Sequence, residues 1–275
     1  MTAVAPRPSA WRRTQWMHPE LSLLAVAAVA WLAVIAGHTV LARFHVAAQH
    51  CSAPLPGGVT VGHHHAAVGP ALAMHQCAGP HPVSAWAFLT SVVLWSIMAT
   101  AMMLPTAVPA ARSIALNGKW KRRQRGQMLF AAGYLAVWSV AGLVVLTIGW
   151  LVVPVTTASQ AVAGVLAVAA WWEVTRWKRR CLLACHRMRS IPPDGRAADT
   201  ACIREGLRNG VWCAGACGPM MTAMALAPHA WWLMLTLSPV VAAEKLVTKA
   251  VDHLRVFAAV LVVVAAVAAA GAPLT

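Results

Sequence analysis

The sulfur-bearing residues between Cys213 and Met224 carry the sharpest chemical pattern in the chain. Cys213, Cys217, Met220, Met221 and Met224 recur at three- and four-residue spacing. On an α-helix such positions share one face. Met98 and Met102 are spaced the same way in an apolar stretch that also holds Pro105 and Pro109, where a helix is expected to break or bend. Cys181 and Cys185, again one turn apart, lie in a basic segment with His186 beside them. Thiolates and thioethers without carboxylates suit thiophilic ions, Cu(I) first among them, with zinc as a second candidate. Each pair alone reads equally well as packing, because Met fills core gaps and buried Cys acts as a small hydrophobe. Together they make metal binding the sharper reading. The nine basic residues flanking Cys181 and Cys185 predict that these thiols favour the thiolate form.

A second cluster has different chemistry. Of the 12 histidines, eight (His38, His45, His50, His63, His64, His65, His75 and His81) fall in or just before one stretch, with Cys51, Met74 and Cys77 among them. That stretch has no acidic residue, so it is a poor site for calcium or magnesium and a better one for copper or zinc. His63, His64, His65, Met74 and His75 are the expected metal-catching residues. Cys51 and Cys77 either join them or form a disulfide.

The elements that must position these groups follow from hydropathy. Hydrophobic residues make up 60% of the chain and charged ones 11%, against about 25% charged in ordinary soluble domains. Seven apolar stretches approach the ~20 residues that cross a bilayer: residues 21–41, 87–110, 128–153, 155–175, 206–227, 230–247 and 256–272. Of the 22 Lys and Arg residues, all but Arg43 fall on alternate sides of these stretches. Basic residues stay cytoplasmic. The expected fold is therefore all-α: a polytopic integral membrane protein of the bacterial plasma membrane with seven transmembrane helices. Residues 1–20 are expected inside, a His-rich loop over 42–85 outside, and a six-helix membrane domain over 86–272, with the C-terminus outside. The first stretch exceeds the roughly 7–15 residues of a signal-peptide core and is read as an uncleaved helix.

Short connections near Pro154 and Pro228 predict that the third and fourth stretches, and the fifth and sixth, are antiparallel neighbours. An inner loop is expected over 176–205, with a turn at Pro192-Pro193-Asp194-Gly195. Gly210, Gly215 and Gly218 would let another helix approach closely. Glu173 and Glu244 stand near the inner ends of their stretches, and Glu244 is expected to pair with Arg179, Arg180 or Lys249. The net charge of +15 is explained by topology and by anionic lipid headgroups, and no nucleic-acid motif accompanies it.

Four motifs occur in order: Met98-x-x-x-Met102-Met103-Leu104-Pro105; Thr175-x-x-Lys178-x-x-Cys181-Leu182-x-x-Cys185; Gly206-x-x-x-Gly210-x-x-Cys213-x-Gly215-x-Cys217; and Glu244-Lys245. With them the chain, from about Ser84 to Ala270, resembles a bacterial domain-of-unknown-function family described as predicted metal-binding integral membrane proteins. It departs from that family at Trp172-Glu173, where Tyr-Gln is usual, at Arg176, where Pro is usual, and at Ala216, where a second Cys is often found. The resemblance implies a membrane location and a metal role, and supplies no activity.

The chain thus reads as a membrane protein that handles copper, carrying it across or delivering it to a partner membrane enzyme or metallochaperone. No catalytic residue or organic cofactor site is identified, so binding is expected rather than catalysis. The rival readings are a non-catalytic subunit or scaffold of a membrane complex and a membrane thiol–disulfide oxidoreductase. The absence of a Cys-x-x-Cys pair weighs against the last.

Overall fold

The computed structural model describes residues 17–50, 85–152, 158–227, 231–247 and 250–270. Among them are eight α-helices and no strand: α1 (Leu21–His50), α2 (Ala85–Asn117), α3 (Arg123–Val152), α4 (Ala158–Glu173), α5 (Arg176–Cys185), α6 (Gly195–Leu226), α7 (Trp231–Leu246) and α8 (Leu254–Ala269). The regions Phe88–Asn117 and Trp120–Gly149 are long and apolar enough to cross a bilayer, and Leu21–Gly37 and Leu254–Ala269 are shorter apolar helices.

Small residues decide which helices meet. The longest contact joins α3 to α6. A Cβ built on Gly206 would lie 2.1 Å from the Phe130 carbonyl oxygen, and one on Gly133 2.5 Å from that of Ile203. Phe130, Tyr134 and Trp138, one turn apart on α3, are fully buried. Trp95 of α2 lies over Gly142 and donates its ring N–H to the Trp138 carbonyl at 2.8 Å. At the start of the bundle, the Gln127 amide donates to the Pro19 carbonyl and to Ser22 Oγ, both at 2.6 Å, tying α1 to α3.

The pairing of α4 departs from expectation. Its main neighbours are α8 and α6, not α3. The reason is the match of two stripes at helical spacing: Val162, Leu166, Ala169 and Ala170 are buried on α4, and Ala258, Leu261, Ala265 and Ala268 on α8. The glycine face of α6 meanwhile accepts α3. The contact of α6 with α7 is slight.

Two further expectations change. The segment over 176–205 is mostly helical, holding α5 and the first turns of α6, with the turn at Pro192–Gly195 between them. Gly195 has φ +78°, the left-handed region that favours glycine. Ion pairs of Lys119 with Asp194, and of Arg122 and Arg125 with Asp199, clasp this segment to the α2–α3 connection. The helix α2 also runs through both Pro105 and Pro109 without a break.

Candidate metal centre

Helix α5 is the part that brings the second thiol pair inward. Thr175 starts it: its hydroxyl accepts the Lys178 backbone N–H at 3.2 Å, the usual work of an N-cap threonine. Lys178, Cys181, Leu182 and Cys185 then fall on one face and are buried, while Arg176, Trp177, Arg179 and Arg180 point out. Gly215 receives that face, since a Cβ there would come within 3.0 Å of Cys181 Sγ. Asn209 of α6 fixes the end of α5 by donating to the Cys185 carbonyl at 2.9 Å.

The thiols of α5 and α6 thereby share one neighbourhood. Cys213 and Cys217, one turn apart on α6, are both buried. Tyr134 Oη lies 3.0 Å from Cys213 Sγ and also donates to the Met103 carbonyl at 3.2 Å. Lys245 Nζ donates to Cys185 Sγ at 3.0 Å and interacts electrostatically with Cys213 and Cys217. A cavity of about 240 Å³ opens onto this group. Cys185, Cys213, Tyr134, Asn209 and Lys245 line its buried part, with exposed His186 and Pro109 at its rim.

Beside the thiols stands a buried charge cluster. Lys178 Nζ donates to Glu173 Oε1 at 2.5 Å and to Glu244 Oε2 at 2.7 Å, and none of the three side chains is more than 1% exposed. Glu244 therefore pairs with Lys178 rather than with Arg179 or Arg180, and Lys249 lies outside the described residues. Those arginines sit on the outward face of α5, whereas Lys178 shares the inward stripe with the cysteines. Lys178 shares the inward face of α5 with Cys181 and Cys185, which sets the two clusters side by side.

Met98 and Met102 of α2 and Met220, Met221 and Met224 of α6 all lie in the same buried cluster as the four cysteines. Tyr134 touches both the Met103 carbonyl of α2 and Cys213 of α6, which brings the two sulfur-bearing helices together at this level. The thiols do not close into a cage. Among the described residues no group of three or more His, Cys, Asp or Glu side chains stands at metal-holding separation. A two-coordinate ion needs only two, and a sulfur set without carboxylates fits Cu(I). The outer residues His63, His64, His65, Met74 and His75, with Cys51 and Cys77, lie outside the described residues.

The expectation of thiolates near the basic segment is corrected. Burial pushes Cys181 up from its ordinary value and Cys185 up to about 11, outweighing Lys245 in both cases. The basic side chains of α5 that prompted the expectation face outward. Gly218 is also reassigned: among the described residues nothing lies within 4 Å of a Cβ there, whereas Gly206 makes a close approach that spacing alone did not single out.

Tyr134, Lys245 and Lys178 were missed as parts of the site. One signal for Tyr134 was available, because it is the only tyrosine in the chain and sits in an apolar helix, where a hydroxyl needs a partner. Lys178 had another, its place in the same stripe as Cys181 and Cys185. Lys245 read simply as one more inner-side charge.

The sequence model of the family described as PpoB2, copper chaperone, matches residues 92–268, more than half of the chain. No curated protein and no solved structure matches it.

Proposed function

The chain belongs to the PpoB2 copper chaperone family, and from that premise we propose that it is a multi-pass protein of the bacterial plasma membrane that holds Cu(I) on buried sulfur and hands it to a partner membrane enzyme. Copper is cargo here. The observation that carries the reading is the convergence of Cys185, Cys213 and Cys217 around Lys245, with Cys185 and Cys213 lining an open cavity. In this picture His63, His64, His65, Met74 and His75 collect metal outside. Met98, Met102, Met220, Met221 and Met224 provide weaker thioether stations. Cys213 and Cys217 hold the ion, and Cys181 and Cys185 stand on the inner side.

The surface supports a bilayer. Leu32, Val93, Val144, Ile148, Val168, Leu235 and Val263 are exposed, while Glu173, Lys178, Glu244 and Lys245 are inside. Exposed apolar surface of this extent, wrapped around buried charge, suits lipid rather than water. Family membership and the clustered thiols favour delivery over a purely structural subunit.

The test compares Cys213→Ser, Cys217→Ser and Met224→Leu in detergent-purified protein by Cu(I) competition against a chelator, beside thermal melts. Either serine should abolish or sharply weaken Cu(I) binding, and the leucine should weaken it less, because thiolate holds Cu(I) more strongly than thioether. A pure packing role would instead lower the melting temperature, because Ser buries a polar hydroxyl, and leave affinity untouched. That second outcome would make the cysteines core residues and the chain a packing subunit.

A further inference from the structure

The position of Lys245 deepens the copper reading and rests on it. Its ammonium is almost wholly buried, yet among the described residues no carboxylate stands within ion-pair distance of it. The buried carboxylates of this region are engaged elsewhere: Glu173 and Glu244 by Lys178, and Glu205 by Arg208. What faces Lys245 is sulfur: Cys185 at 3.0 Å, with Cys213 and Cys217 in electrostatic reach. A buried charge is costly unless an opposite charge accompanies it.

We propose that Lys245 is the specificity-determining residue of the thiol site, selecting a monovalent soft cation over a divalent one by compensating the charge of the loaded site. The argument is one of charge. When Cu(I) enters, two thiol protons leave and two Cu–S bonds form. The bis-thiolate complex then carries a net charge of one minus, which the ammonium beside it neutralises. When Zn(II) replaces the same two protons, the two-thiolate complex is neutral, and the ammonium gains nothing from it. The Glu173–Lys178–Glu244 cluster is present in every variant compared, so the change in preference on removing Lys245 reports the ammonium alone. Removing Lys245 therefore penalises copper far more than zinc.

The experiment uses the full-length protein in detergent. Cu(I) and Zn(II) affinities are measured by chelator competition for the parent chain, Lys245→Met and Lys245→Arg, with thermal melts of each. In K245M, Cu(I) affinity should fall by roughly tenfold or more while Zn(II) affinity changes by less than about threefold, as expected for loss of one close counter-charge. K245R, which keeps the charge, should retain the parent preference. Equal loss of both metals in K245M, or an unchanged preference, would overturn the role assigned to Lys245. Should K245M yield no folded protein, Lys245→Gln carries the same comparison. A parent chain that binds no Cu(I) would sink the copper reading itself, a result distinct from either of these.

Discussion

Tyr134 Oη stands 3.0 Å from Cys213 Sγ, and this contact ties the phenol of α3 to the thiol stripe of α6. The same hydroxyl reaches the Met103 carbonyl of α2, so one oxygen sets the relative height of three helices. Tyr134→Phe keeps the ring and removes only that oxygen. Stability should fall by about 1 kcal/mol, the net worth of a typical buried hydrogen bond. Cu(I) affinity should fall as well, because Cys213 loses the neighbour that orients it. A melt paired with a competition titration checks both, and an unchanged affinity would show that the contact only packs.

The cluster of Lys178 with Glu173 and Glu244 predicts strong non-additivity. Lys178→Met leaves two buried carboxylates facing one another and should destabilise by about 3–5 kcal/mol. The triple variant Lys178→Met, Glu173→Gln, Glu244→Gln removes every charge in the cluster and should recover much of that loss. Melting temperatures of the four purified chains (parent, single, double Gln and triple) form the check.

Glycine substitutions separate close packing from open space. Gly206→Ala places a methyl 2.1 Å from the Phe130 carbonyl, so α3 and α6 must part, and little folded protein is expected. Gly164→Ala meets nothing within 4 Å among the described residues and should be neutral or slightly stabilising, since Ala favours the helix by up to ~1 kcal/mol. Yield and melting of the two variants should diverge accordingly.

Cu(I) binding should strengthen as pH rises. Burial holds Cys185 protonated up to about 11, so metal must displace a proton from it throughout the neutral range. The sign follows: the proton is a competitor, and each unit of added pH should raise apparent affinity by up to about tenfold for every Cys185-type thiol engaged. Cys185→Ser should flatten this slope. An identical slope in the variant would mean Cys185 takes no part in binding.

Much of the helical order was readable because composition and period report it directly. The stripe of Cys213, Cys217, Met220, Met221 and Met224 is a single-helix pattern, and it is buried as one face. The partners of that stripe were not readable, since hydropathy says which segments are helices and not which helices touch. The placing of α4 against α8 turned on small-residue stripes in two segments far apart in sequence. Lys178 and Lys245 were hidden by their type: a lysine beside an apolar stretch looks like a topology signal, and only the fold shows that these two point inward. The charge of the basic segment misled for the same reason, because α5 presents its arginines outward and leaves its thiols to the effect of burial.

The packing of α4 on α8 has a consequence for biogenesis. The helix α4 is synthesised well before α8, the last of the described helices, which completes its burial. Until then the Val162–Leu166–Ala169 face lacks the helix that covers it. The thiol site, built from α5, α6 and α7, belongs to the part of the chain made in between. The clustered thiols are therefore assembled before the bundle around them is sealed, and the arrival of α8 is the step that closes the packing around α4.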